Sequence, residues 1–450
     1  MSSTHTRRAV AVAVLTATAA VSLAATPANA DDAARDPGAD IRERVLDRVD
    51  ARTENKVVFF AIDGFDADYL DGRVPLPNLD RLARRGSLTT GTGVMSSMTN
   101  QSWGSVATGA YPDTTLNASY YLDPVSGTVR GQSRALAVET LGEALAQADR
   151  SMASVQWFTL QNRGTAYGDP DALYTQPGGT CADRADDAVA ILEGRPVDSG
   201  GTAVTVPEVP DLLAVYCSDV DGAGHATGEQ SPETLAALAL VDEQIGRVVE
   251  ATRRAGTYNR TTFVLVGDHG ITSYDDVNGP QTEAAIDALG YQAEWVSTNQ
   301  APSPGTDVVL AGGGLTSVHL IGDLTGDATA LARIEQALAG VEGIGGIYDE
   351  REQAAMRMAP VYGDLVVEPA PGWAMFAADA EITRGRHGTT QELEVAFLLS
   401  GRHVRPGTVP QDPRHVDIAP TIAHLLGVPA PDASQGRVLD EALLPVHPRG

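Results

Sequence analysis

Positive charge is what this chain has least of. Lysine and arginine total 32 against 59 aspartates and glutamates, for a formal net charge of −27. No stretch concentrates the bases, which argues against a nucleic-acid backbone as a surface-bound partner. A small phosphate-bearing substrate remains compatible, because bound metal ions can carry positive charge locally. Cysteine is nearly absent, with only Cys181 and Cys217. In an oxidising compartment that even count permits one disulfide. Cys217 also lies inside an apolar run, where a buried free thiol fits equally well, so the residues alone leave the choice open. Long apolar runs are missing after residue 30, and none approaches the roughly 18 residues a membrane span needs. No internal repeat recurs at a fixed period.

The N-terminus does hold such a run, of a different kind. Arg7 and Arg8 precede an Ala-rich apolar stretch to Ala25, and Pro27-Ala28-Asn29-Ala30 forms a small-x-small cleavage site. Residues 1–30 therefore read as an export signal rather than a membrane anchor. Thr6-Arg7-Arg8 raises a twin-arginine route, ranked behind general secretion because Phe-Leu-Lys does not follow the arginines. Cleavage removes two bases and no acid, so the mature chain, expected to be soluble and extracytoplasmic, is more acidic still.

A chain of 450 residues suggests about two to three domains, or one large domain with an elaboration. Residues 31–55 read as a tether. Four short apolar, β-branched runs read as buried strands of a parallel sheet: Val57 to Ile62, Leu212 to Tyr216, Thr261 to Val266 and Val395 to Leu399. Val155 to Phe158 is a weaker strand candidate, and 162–210 reads as loop with one helical patch from Ala182 to Leu192. Helical patterns follow the strands: from Asn78 to Gly86, Ser102 to Gly109, Leu136 to Ala148, Ser231-Pro232 to Gly256, and Asp417 to Leu426. The predicted class is α/β, a mostly parallel central sheet with helices on both faces. Residues 280–380 change character and read as an inserted, smaller α+β subdomain between core parts 56–279 and 381–450. His319 alternates with apolar neighbours there and reads as a strand histidine rather than a ligand.

The chemistry-bearing residues stand where these strands end. They are Asp63-Gly64, Asp221 with His225, Asp268-His269 and His387. Carboxylate and imidazole together suit zinc, and ligands bind open α/β sheets at the carboxyl ends of the strands. Each fragment alone has an ordinary explanation as a turn acid or loop histidine, and Asp66 and Asp219 are nearby competitors. Thr99 lies just before a helix, where backbone N–H groups favour an anion. It is either a helix cap or, beside a metal, a nucleophile.

The set resembles the alkaline phosphatase superfamily, and within it the type I phosphodiesterase and nucleotide pyrophosphatase branch. The resemblance rests on Ile62-Asp63-Gly64, Pro77-Asn78-Leu79, Thr99 nine residues before Thr108-Gly109, and Tyr111-Pro112. It continues through Asp221-x-x-Gly224-His225, Gly267-Asp268-His269-Gly270, Gly385-Arg386-His387-Gly388 and Asp417-Ile418-Ala419-Pro420-Thr421. It implies two divalent ions, most simply Zn2+. Asp221, His225 and His387 would hold one; Asp63, Asp268, His269 and Thr99 would hold the other. It further implies an exported hydrolase of phosphodiester or nucleotide pyrophosphate bonds, acting on a small phosphate ester through a phospho-threonine at Thr99. Phosphomonoester and phosphonate hydrolysis, or non-catalytic metal or phosphate binding, are the alternatives. One departure stands out. The branch follows its threonine with Phe-Pro-Asn-His, whereas Asn100-Gln101-Ser102-Trp103 stands here. The phosphate-contacting asparagine falls at Ser102, with Asn100 as its substitute. Neither cysteine has the context a sulfatase requires.

Overall fold

The computed structural model describes residues 55–377 and 384–444. The export signal, and the tether up to residue 54, lie outside the described residues. Seven strands form the central sheet: β1 (Lys56–Ile62), β2 (Gly86–Thr92), β3 (Met152–Val155), β4 (Ala172–Thr175), β5 (Leu212–Cys217), β6 (Thr261–Gly267) and β7 (Glu394–Gly401). Their spatial order is β2-β7-β6-β1-β5-β3-β4. Only β7 opposes the rest, pairing antiparallel with both β6 and β2. The sheet is therefore mostly parallel, as the apolar runs predict.

Helices cover both faces because alternate strand residues must be buried on both. Val58, Phe60 and Ile62 pack under α1 (Pro77–Ala83), α4 (Cys181–Leu192) and α6 (Pro232–Arg254), whereas Val57, Phe59 and Ala61 meet α2 (Thr99–Thr108), α3 (Leu141–Gln147) and α7 (Ile418–Leu426). One further helix, α5 (Asp219–Thr227), follows β5 directly. Between β6 and β7 the chain builds a second, five-stranded sheet from strands between Ala293 and Pro369. Helices Gly279–Asp287 and Ala328–Leu338 share its own apolar cluster, which includes Ile286, Ile334 and Leu338.

Several local expectations change. β2 reads as Gly-Ser-Leu-Thr-Thr-Gly-Thr, with little strand propensity. It is strand because β7 supplies a partner at all seven positions, so pairing overrides propensity. β4 lies inside the stretch expected to be loop, and is too short for periodicity to reveal. The strand expected at Val155 to Phe158 ends at Val155, where Gln156 takes a positive φ of 59°. The helix expected from Leu136 starts at Leu141, behind a reciprocal cap between Thr140 and Glu143. Asn78 is no cap. The Asp242 carboxylate on α6 takes its N–H and that of Leu79.

Cys181 and Cys217 are joined, with Cα atoms 4.9 Å apart. The bridge ties the start of α4 to the end of β5. Closing a loop with a sequence separation of 36 restrains the unfolded chain by about 4 kcal/mol in the chain-entropy treatment. Cys181→Ala/Cys217→Ala is accordingly expected to lower the thermal midpoint by several degrees, read by calorimetry. An unchanged midpoint would remove the bridge from the stability account.

Candidate metal centre

The register of the central strands creates the site. Ile62, the last residue of β1, lies opposite Gly267 on β6 and Cys217 on β5. The three strands therefore end level, and Asp63, Asp268-His269 and α5 emerge side by side. Gly64 turns the chain at a φ of +73°, and a Cβ there would sit 2.9 Å from the Cα of Asp221. Only glycine lets β1 and α5 approach this closely. Gly64 N–H donates to Asp268 Oδ1 at 3.0 Å, and Asp221 N–H donates to the Asp63 carbonyl at 3.2 Å.

The Asp221 to His225 segment is helix rather than loop, which places these residues one turn apart on one face. Gly224 makes that helix fit: a Cβ there would lie 2.2 Å from Ile271 Cδ1. Helix α2 begins at Thr99, and the residue in the cap position is Met98, with no side-chain cap bond. The Thr99 hydroxyl is thus free of the capping role and lies 3.2 Å from His269 Nε2.

Ligand atoms of Asp63, Asp268 and His269 lie within 4.8 Å of one another, as do those of Asp221, His269 and His387. The shorter separations resolve two sets that meet at His269. His269 Nε2 is 3.3 Å from Asp63 Oδ1 and 3.4 Å from Asp268 Oδ2, in addition to its approach to Thr99. His225 Nε2 and His387 Nε2 are 3.4 and 3.7 Å from Asp221 Oδ1. Ligands held about 2.0–2.1 Å from a tetrahedral ion are separated by about 3.3 Å. The His269 and His387 rings stack, with centroids 3.6 Å apart.

Two further observations test the fit to metal. Asp63 Oδ1, Asp221 Oδ1 and Asp268 Oδ2 are buried without a hydrogen bond, an arrangement costly unless a cation meets them. Each histidine also commits Nδ1 to a carbonyl: His225 to Gly385 at 2.8 Å, His387 to Ser97 at 2.9 Å and His269 to Gly270 at 3.0 Å. A carbonyl only accepts, so each Nδ1 carries a proton and each Nε2 faces the cluster, where it can bind a cation once any proton on it is displaced. The donor set fits zinc.

The competitors are engaged elsewhere. Asp219 accepts the Cys181 N–H at 2.9 Å. Asp66 accepts the N–H groups of Asp68 and Ile271, and burial pushes its carboxyl up to about 7. His319 lies in a strand of the second sheet, as expected, and accepts the Leu122 N–H at 3.1 Å. Burial pushes its imidazole down to about 4. Ser102 is fully buried in α2, and its Oγ has no hydrogen-bond partner. Asn100 is partly exposed.

Sequence reasoning missed the supporting shell. The Tyr216 hydroxyl donates to Asp63 Oδ2, leaving Oδ1 for an ion. Ser97 and Gly385 contribute carbonyls, which no residue type advertises. Only Tyr216 carried a signal, as the polar-tipped residue near the end of β5. Tyr216→Phe is expected to weaken metal binding about 10-fold or more, because a hydrogen bond that orients a ligand carboxylate is lost. Chelator competition measures it, and unchanged affinity would make Tyr216 a packing residue only.

Fold and site together define an α/β protein of the alkaline phosphatase superfamily, with an Asp/His cluster at the carboxyl ends of its strands. Residues 57–390 match the type I phosphodiesterase / nucleotide pyrophosphatase family. The chain belongs to that family. It is 25% identical over 242 residues to human ectonucleotide pyrophosphatase/phosphodiesterase family member 7, covering 51% of each chain. It is 29% identical over 86 residues to venom phosphodiesterase 2 of Crotalus adamanteus, covering 19% of this chain and 9% of that one. This chain thus spans about half the length, or far less, of these relatives. Among solved structures, murine ectonucleotide pyrophosphatase/phosphodiesterase 5, as an inactive variant in complex with AMP, superposes with a TM-score of 0.65 at 17% identity. That match covers 84% of this chain and 96% of the other.

Proposed function

We propose that this protein hydrolyses phosphodiester or nucleotide pyrophosphate bonds through a phospho-threonine at Thr99, with two divalent ions, most simply zinc. The observation that carries the reading is the Thr99 hydroxyl 3.2 Å from His269 Nε2, at the edge of a donor set completed by Asp63 and Asp268. Family membership supports the reaction class. When bound, the ions supply positive charge that lowers the pKa of the hydroxyl and neutralises charge building on phosphorus oxygens.

The chain's own residues orient the rest. Helix α2 fixes Thr99 by its first turn, and the new Oγ–phosphorus bond forms as the ester oxygen leaves. Water then attacks the phospho-threonine, breaks the Oγ–phosphorus bond and returns Thr99. Asp221, His225 and His387 hold the second set; His225, with its side chain 34% exposed, lies on the solvent side. Asn100 is the residue proposed to contact a phosphate oxygen.

Residues 280–380 are proposed to act as an inserted substrate-selecting lobe. The support is contact with the site: a Cβ at Gly314 would lie 1.7 Å from the His387 carbonyl. Export is proposed on the Arg7 to Ala30 signal and is supported by the disulfide, which persists in oxidising compartments. Among the described residues no helix is long and apolar enough to cross a membrane.

The buried Ser102, standing where a phosphate-contacting asparagine was expected, favours one second reading, a phosphomonoesterase using the same site. Rates on bis-p-nitrophenyl phosphate and p-nitrophenyl phosphate separate the two. Faster diester hydrolysis is expected, and a monoester preference would overturn the diesterase reading.

A further inference from the structure

We propose that Arg386 and Glu392 are positioning residues of the metal centre, setting the backbone that carries His269 and His387 and pinning both to the second sheet. The inference rests on the metal-site reading above. Neither side chain touches the Asp/His cluster, yet both are charged and essentially sealed from solvent, at 1% and 0% exposure. Arg386 Nη1 lies 2.9 Å from Glu392 Oε1. A buried ion pair adds little net stability over an apolar pair of the same size. What this one adds is geometry.

The planar guanidinium is gripped on every edge. Nε donates to the Trp373 carbonyl at 2.6 Å, and Nη2 donates to Gln391 Oε1 at 3.2 Å. Nη1 also reaches Thr389 Oγ1 at 3.2 Å. Arg386 immediately precedes His387, so this fork fixes the backbone from which His387 projects. Glu392 completes the arrangement. Its Oε2 accepts the Thr389 N–H at 2.9 Å and hydroxyl at 2.7 Å, and its Oε1 accepts the Thr272 hydroxyl. Its carbonyl accepts the Gly270 N–H at 2.9 Å, one residue beyond His269. The side-chain pair thus holds the His387 turn, while the Glu392 main chain and the Thr272 contact tie in the segment that follows His269.

The same turn is tied to the second sheet. Glu368, in strand Leu365–Pro369, accepts the Thr390 N–H at 2.9 Å and hydroxyl at 2.7 Å, and the Tyr348 hydroxyl at 2.7 Å. Docking of that sheet and the position of His387 are therefore coupled through residues 386–392.

The test is zinc binding by the full chain, read by chelator competition and by the rise in thermal midpoint that zinc produces. Glu392→Gln keeps the shape and leaves the buried guanidinium unpaired. It is expected to weaken zinc binding at least 10-fold and to shrink the zinc-dependent rise in midpoint. A merely structural pair would lower the midpoints of metal-free and zinc-loaded protein alike and leave the affinity unchanged, which would overturn the proposal. Should Glu392→Gln fail to fold, Arg386→Lys keeps the charge and loses the planar fork. A several-fold weaker zinc affinity supports the proposal, and wild-type affinity in that variant overturns it. A wild-type chain that binds no zinc overturns it as well. Ester hydrolysis is not read, so the positioning role stands or falls separately from the phosphodiesterase reading.

Discussion

Thr99→Ala is expected to reduce ester hydrolysis by at least about 10³-fold, because a removed nucleophile leaves only binding and electrostatic rate enhancement. Zinc binding should survive, since Asp63, Asp268 and His269 remain within 4.8 Å of one another without Thr99. The fold should survive too. Thr99 is the first residue of α2, its hydroxyl caps nothing, and its side chain is only partly buried. Thr99→Ser keeps an attacking oxygen and should retain measurable turnover. The measurement is steady-state hydrolysis of bis-p-nitrophenyl phosphate by metal-loaded protein. A Thr99→Ala variant with zinc bound and wild-type turnover would show that another group attacks phosphorus.

Stripping the metal is expected to be as damaging, and the charge balance of the site says how the effect depends on pH. Burial first, and the Asp63 charge second, push the Asp268 carboxyl well above the usual range and raise Asp221 to about 6. Burial opposes a charge on His269, but Asp268 and Asp63 outweigh it and raise the imidazole to about 10. Burial likewise opposes the charge on Asp63, and the adjoining His269 imidazole outweighs it, so that carboxyl is lowered. The metal-free site at neutral pH therefore holds a proton on His269, which an ion must displace. Zinc binding at pH 7 is expected to release at least one proton, so affinity rises with pH and falls as the solution is acidified.

The sign for stability is the reverse in the metal-free protein. Asp221 and His269 both bind protons more tightly folded than unfolded. Their contribution is complete below the unfolded values of 3.8 and 6.5 and is lost as pH rises through about 6 and about 10. Titration calorimetry in buffers of different ionisation enthalpy counts the protons. Release of none would mean the ligands are already deprotonated in the metal-free protein. Activity should fall to background after chelation and return with zinc; full activity in demetallated protein would refute a metal-dependent reaction.

How much was legible beforehand varies by element. β1, β5, β6 and β7 were visible because parallel strands buried on both faces must be continuously apolar. β2 was invisible because its Gly and Thr residues become strand only when β7 pairs with them. Helix α5 was hidden by Gly222 and Gly224, which read as loop. In the fold, Gly224 is what lets the helix press against Ile271. Asp63, Asp221, His225, Asp268, His269, His387 and Thr99 were all nameable, since acids, imidazoles and a hydroxyl at strand ends are rare enough to be noticed.

The amino-acid sequence by itself determined the fold class and named the acids, imidazoles and hydroxyl that the fold brings together. Burial pattern and donor type are properties of residues, and they survive without coordinates. The tertiary structure decided what depends on distance. It joined Cys181 to Cys217, turned Asp66 and Asp219 away from the site, and released Thr99 from capping. It brought the Tyr216 hydroxyl, three backbone carbonyls and the Arg386–Glu392 pair around the ligands. These follow from strand register and close glycine approaches, which bring together residues up to several hundred positions apart, and no local pattern encodes them.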